Sequence, residues 1–193
     1  MYKKQMTLQR ITSFLLLAAA ALVFVYSLGI MTDLYNGLYE ISKLKESNRN
    51  YVEGAIIYRE MQPFNQHLTA AGIVLIISAV ALFLFKTHDR RKYYIANYIT
   101  IGINTVLNVG VAIWGLTNVF AYKAQFLQID FEKLKEVAYA RDIYYTESTF
   151  WFDAAWGVFI PLLIVTAISI FNMVWKISLM KAEKKLIEEG KEE

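Results

Sequence analysis

YYIANYITIGINTVLNVGVAIWGLTNVFAY, residues Tyr93–Tyr122, runs through the middle of the chain without one Asp, Glu, Lys or Arg. A helix rises about 1.5 Å per residue and a bilayer core is about 30 Å thick, so roughly 20 apolar residues cross it. Three similar runs accompany it: Ile11–Thr32, Met61–Phe85, and Thr149–Trp175, in which Asp153 is the one charged residue. A soluble domain of 193 residues does not need runs of that length. The sequence therefore predicts an all-α integral membrane protein, a four-transmembrane-helix bundle. The spans are expected at about 11–31, 68–85, 94–121 and 150–175, within one membrane domain covering 1–193. The composition, 56% hydrophobic with mean hydropathy +0.35, agrees.

Charge sets the expected orientation. Lys3, Lys4 and Arg10 precede the first span. Lys86, Arg90, Arg91 and Lys92 crowd the short second connection, and Lys176, Lys181, Lys184, Lys185 and Lys191 follow the last span. The other two connections, about 33–66 and 123–148, carry fewer basic residues over more chain. The denser side is expected to be cytoplasmic, with both termini inside; abundant Lys, Ile, Asn and Tyr with two Pro and no Cys fit a bacterial plasma-membrane protein. The first apolar run exceeds the 7–15 residues of a signal core, so it is expected to stay as an uncleaved span.

Both outer connections read as partly helical. Leu34, Leu38 and Ile41 share one face of an amphipathic helix that continues span 1 or lies against the outer surface. A break at Ser47–Asn50, a second helix at about Tyr51–Met61 and a turn at Pro63 would follow. Leu127, Phe131, Leu134 and Ala138 form an apolar stripe over Gln125–Arg141, another amphipathic helix. The cytoplasmic tail, 176–193, is expected to stay helical, with Lys184/Glu188 and Lys185/Glu189 paired four apart. The echo of Lys43-Leu44-Lys45-Glu46 in Lys133-Leu134-Lys135-Glu136 is short enough to arise by chance. Trp151, Trp156 and Trp175, with Tyr93, Tyr94 and Tyr122, are expected at the bilayer interfaces.

Chemistry is sparse. The chain has no Cys, which removes disulfides, thiol nucleophiles and thiolate metal sites. Its two histidines, His67 and His88, fall on opposite sides of the membrane in this topology, so no metal or other cofactor is expected. No Ser–His–Asp set, phosphate-binding Gly loop or His-Glu-x-x-His pattern is present, and the chain is not expected to be an enzyme. A headgroup-layer enzyme would have to use Asp153, Glu147 or His67. The basic Lys86–Lys92 run fits a topology determinant contacting anionic lipid better than a nucleic-acid site.

The least bland feature is the polar stripe of span 3. Asn97, Asn104 and Asn108 are separated by seven and four residues and share one helical face, with Asn118 further along it. An amide facing lipid leaves its hydrogen bonds unmet, so this face must point at a partner helix, a cavity or water. Gly102, Gly110 and Gly115 suggest close packing on the same helix. In span 4, Asp153 sits one turn from the helix start, Asn172 lies near the inner end, and Pro161 marks an expected kink.

The layout of four spans, inside termini, a longer first outer loop and a short inner turn is similar to that of claudin-type tetraspan proteins. The resemblance stops at layout, because that family's outer-loop Trp and paired Cys are missing and these loops read helical. The expectation from the sequence is a non-catalytic accessory or scaffolding subunit of a larger membrane assembly, such as a transport complex. Its surroundings would be the lipid bilayer and a membrane-protein partner or a homo-oligomer, without nucleic acid. The alternative is a small self-contained transporter or lipid-handling protein with a polar cavity between spans 3 and 4.

Overall fold

The computed structural model describes residues 2–35, 38–85, 94–137, 140, 143 and 145–190. The expectations for Lys86–Lys92 and for the side chains of Leu34, Tyr93, Tyr94 and Ala138 lie outside them. Among the described residues the regular structure is helical, without strands. Four long helices dominate: α1 Tyr2–Tyr35, α2 Ile57–Phe85, α3 Tyr94–Phe126 and, beyond the short helix α4 at Phe131–Glu136, α5 Phe150–Glu189. All four are long and apolar enough to cross a membrane. The 34 residues of α1 and 40 of α5 correspond to about 51 and about 60 Å, so both outrun a bilayer core.

Pairs of facing residues define the topology. Ser27 meets Thr69, and Phe24 lies against Gly72, between α1 and α2. Ser78 meets Asn104, and Glu60 meets Tyr122, between α2 and α3. Asn108 meets Thr166, and Lys123 meets Asp153, between α3 and α5. Gln5 meets Asn172, and Tyr26 meets Trp151, between α1 and α5. In each pair the residue numbers run in opposite senses, so neighbours are antiparallel and the ring closes in the order α1, α2, α3, α5. The start of α1 and the end of α5 share one end of the bundle, here the terminal end. The connections after α1 and α3 share the other, the loop end.

The two halves of the interior differ. The loop half holds one large apolar cluster, from Leu75, Ala112 and Leu162 through Val23, Phe159 and Phe152 to Leu38, Ile41 and Leu134. The terminal half holds a small one of Leu16, Ala79, Leu82 and Ile101. Outward positions are apolar on every long helix, as with Phe14, Ile77, Val106 and Phe171. That is the pattern of helices solvated by lipid.

Three local expectations are corrected. Pro63 lies inside α2, which begins at Ile57; of the separate helix expected at 51–61, residues 57–61 join α2 and residues 51–56 form coil and turns. The Pro63 ring removes only the bond to the Arg59 carbonyl, on the exposed side of the first turns where water can replace it. Residues 38–43 form turns and one 3-10 turn, Ile41–Lys43, in place of an amphipathic α-helix. There Ser42 Oγ donates to the Tyr39 carbonyl at 2.5 Å, and the backbone closes i to i+3 bonds. Leu38 and Ile41 still reach the core. The helix expected over 125–141 is interrupted: α3 ends at Phe126, and α4 starts only after Asp130, whose Oδ1 caps the Lys133 N–H at 3.0 Å. Leu127, outside both helices, is 64% exposed instead of lying on the buried stripe.

The two loop segments are joined to each other. The Asp130 N–H donates to the Glu53 carbonyl at 3.1 Å. Gly54 beside it has φ +79, and a Cβ there would strike the Gln128 and Ile129 backbone. The four-residue echo adopts two conformations, coil after a 3-10 turn at Lys43–Glu46 and helix at Lys133–Glu136. The tail continues α5 as a helix to Glu189, with Lys184–Glu188 and Lys185–Glu189 each 3.5 Å apart; residues 191–193 lie outside the described residues.

Candidate functional site

Polar side chains line the bundle interior in three layers, each joining different helices. The mid-bundle layer is built on α3. Asn104 and Asn108, one turn apart, both face inward and are 3% and 1% exposed. Asn104 Nδ2 donates to Ser78 Oγ of α2 at 2.9 Å. Asn108 Nδ2 donates to Asn104 Oδ1 at 2.9 Å and to Thr166 Oγ1 of α5 at 3.0 Å. Thr166 passes its own proton to the Leu162 carbonyl at 2.7 Å, and Ser78 to the Leu75 carbonyl at 2.9 Å. The result is a hydrogen-bonded chain across three helices, set in apolar surroundings that strengthen it.

The terminal-end layer joins Asn97 and Asn172 to Gln5 and Gln9, which precede the first assigned span. Gln5 Nε2 donates to Asn172 Oδ1 of α5 at 3.3 Å and to Gln9 Oε1 at 3.4 Å. Gln9 Nε2 donates to Asn97 Oδ1 of α3 at 2.6 Å. That last bond crosses the ring, since α1 and α3 are not neighbours in it. Lys176, one turn beyond Asn172, is buried with its ammonium 5.7 Å from the centre of the Tyr98 ring.

The third layer, nearer the loop end, ties α1 to α2. Asn65 Nδ2 donates to the Ser27 carbonyl at 3.0 Å, and Thr69 Oγ1 donates to Ser27 Oγ at 3.0 Å.

The sequence candidates thus divide. Asn104 and Asn108 come together; Asn97 and Asn172 belong to the terminal-end layer, joined through Gln5 and Gln9. Asn118 joins neither: its Nδ2 donates to the Trp114 carbonyl of its own helix at 2.7 Å. Asp153 lies at the rim, where Lys123 Nζ reaches its Oδ1 at 2.6 Å and Thr149 Oγ1 donates to its Oδ2 at 2.7 Å. It fastens the end of α3 to the start of α5. Glu147 pairs with Lys135 at 3.2 Å, and His67 is exposed on α2. Pro161 lies within an unbroken α5, and the carbonyl it leaves without a donor, that of Gly157, is on an open face.

Packing differs from expectation at two further points. Gly115 is a contact glycine, since a Cβ there would meet the Phe159 ring. Gly102 and Gly110 have nothing within 4 Å of a Cβ and face outward. Trp151 turns inward, its ring over Gly29 and its carbonyl accepting from Tyr26 Oη at 2.8 Å, whereas Trp156 is exposed. A shallow pocket of about 240 Å³ lies at the loop end among Glu40, Ile41, Leu44, Asn50 and Val137. Among the described residues no three His, Asp or Glu side chains converge.

Fold and layers together define the class: a bundle of four long apolar helices held from within by amide and hydroxyl hydrogen bonds. No family model matches the chain, and no curated protein or solved structure shows significant similarity to it.

Proposed function

We propose that this chain is a non-catalytic accessory or scaffolding subunit of a larger assembly in the plasma membrane, most naturally a transport complex. The observation that carries the reading is the Ser78–Asn104–Asn108–Thr166 chain. Asn104 and Asn108, the two mid-span amides of α3, are committed within the bundle, with hydrogen bonds of 2.9 to 3.0 Å. A bundle locked in this way presents an apolar exterior of fixed shape, which suits a part that works through contact. The linked loop segments add a small cap at one end. Cytoplasmic termini follow from the concentration of Lys and Arg at the terminal end.

Gentle-detergent extraction of the tagged chain from its native membrane, with mass spectrometry of what comes with it, tests the subunit reading. A stoichiometric membrane-protein partner supports it. A chain that purifies alone, or only with itself, defeats it and favours a self-contained carrier built around the polar layers. Reporter fusions at residues 1 and 193 test the orientation; activity of a periplasm-dependent reporter at either end would reverse it.

A further inference from the structure

We propose that the terminal end of the bundle holds ordered water between Gln5 and Asn97, in a site closed by Gln9 and Asn172. The inference stands apart from the subunit reading and rests on a count of donors and acceptors. Gln5 and Asn97 are 0% and 1% exposed. The Gln5 amide nitrogen serves Gln9 and Asn172, but its Oε1 receives nothing. The Asn97 oxygen accepts from Gln9, but its Nδ2 has no acceptor. The layer therefore has one open acceptor on α1 and one open donor on α3.

Turning amides does not remove these openings. Rotating Gln5 alone would set its oxygen against Gln9 Oε1 and Asn172 Oδ1, both acceptors. Rotating Asn97 alone would set its nitrogen against the Gln9 nitrogen. Rotating all four together exchanges the open donor for an open acceptor and the reverse. An anion would suit Asn97 and repel the Gln5 oxygen, and a cation would do the opposite. Water meets both needs, since it can donate to the Gln5 oxygen and accept from the Asn97 nitrogen, and it is the molecule at hand at a membrane edge.

The layer in the middle of the bundle behaves differently. Asn104 and Asn108 have no side-chain nitrogen or oxygen among the unpartnered buried atoms of the described residues. Leu16, Ala79, Leu82 and Ile101 supply the apolar cluster of the terminal half. Of these two layers, the terminal-end one alone carries fully buried side-chain atoms left without a partner. The Gln9–Asn97 bond, which joins the two non-adjacent helices, lies in that layer.

The test uses the unmodified full chain in lipid nanodiscs with ¹⁵N-labelled Asn and Gln, at a pH where amide protons exchange slowly. Transfer of water magnetisation to the Asn97 side-chain amide is expected to exceed that to Asn108 by at least about fivefold. Equal or weaker transfer at Asn97 overturns the proposal. A second measurement combines Gln5→Leu with Asn97→Leu. A raised midpoint, despite the bonds to Gln9 and Asn172 that the pair also removes, would mean that leucine relieves a dry mismatch, and the site would be rejected. Should the double variant not fold, the measurement on the unmodified chain still decides.

Discussion

Asn108 of α3 donates from one nitrogen to both Asn104 Oδ1 and Thr166 Oγ1, at 2.9 and 3.0 Å, and so couples the α2–α3 seam to the α3–α5 seam. Hydrogen bonds between membrane helices contribute about 0.6 kcal/mol on average. Leaving a buried partner unmet costs more, about 1–3 kcal/mol. Asn108→Leu strands the Asn104 oxygen, so a loss of about 1–3 kcal/mol is expected in reversible denaturation. Asn104→Leu strands no such oxygen and should cost less. Combining the two should cost less than the sum of the single losses, because the stranded group is gone in the double variant. Additive losses would show that the chain does not act as a unit.

Gly115 and Gly110 give a matched pair on one helix. A Cβ at Gly115 meets the Phe159 ring, whereas one at Gly110 meets nothing within 4 Å. Gly115→Ala should destabilise by about 1–3 kcal/mol through overpacking. Gly110→Ala should be neutral or stabilise by up to about 1 kcal/mol, through helix propensity. Phe159→Leu should recover part of the Gly115→Ala loss. Equal effects at the two glycines would mean that α3 and α5 do not approach as described.

Lys135 sits between Glu132 and Glu147, each 3.2 Å away, and hydrogen bonds to both raise its pKa above the usual lysine value. A raised folded-state value means that this contribution is complete below the usual lysine range and fades as pH rises through the raised value. Protection of residues 127–149 from an alkaline-active protease should therefore fall above about pH 10.5, the ordinary lysine value. Lys135→Gln should flatten that fall and change little at neutral pH, since exposed ion pairs contribute weakly. An unchanged profile would remove Lys135 from the account of the loop end.

Charge-free runs are long-range signals, and they located α1, α2, α3 and α5 because nothing else in a chain of this size requires them. The inward direction of Asn97, Asn104 and Asn108 followed from spacing alone, since lipid cannot satisfy an amide. Gln5 and Gln9 were missed because they precede the apolar run. Their signal was the continuation of one buried stripe, Gln5, Gln9, Thr12, Leu16, Ala19 and Val23, backwards past Ile11. Asn65 escaped for another reason: it donates to the backbone carbonyl of Ser27, a partner that no side-chain pattern announces. Loop structure was the least legible, because Ser42, Gly54 and Asp130 act through single bonds or turns with no period to read.

Gly54 is where that loop structure is most exposed to a single change. Its φ of +79 is costly for any residue with a Cβ, and the Gln128–Ile129 backbone occupies the space a Cβ would need. Next to it the Asp130 N–H reaches the Glu53 carbonyl, the backbone bond joining the two loop segments. Gly54→Val should therefore separate the segments while leaving the four long helices paired, because their contacts lie in other layers. The measurement is limited proteolysis in detergent alongside helix content by circular dichroism. Cleavage within 44–56 and 127–149 should rise at least about tenfold, an opening free energy lowered by roughly 1.4 kcal/mol or more. Helix content should hold. Resistance equal to that of the parent chain would show that the two segments are not held together through Gly54. A collapse of helix content would show that the loop end is part of what keeps the bundle folded.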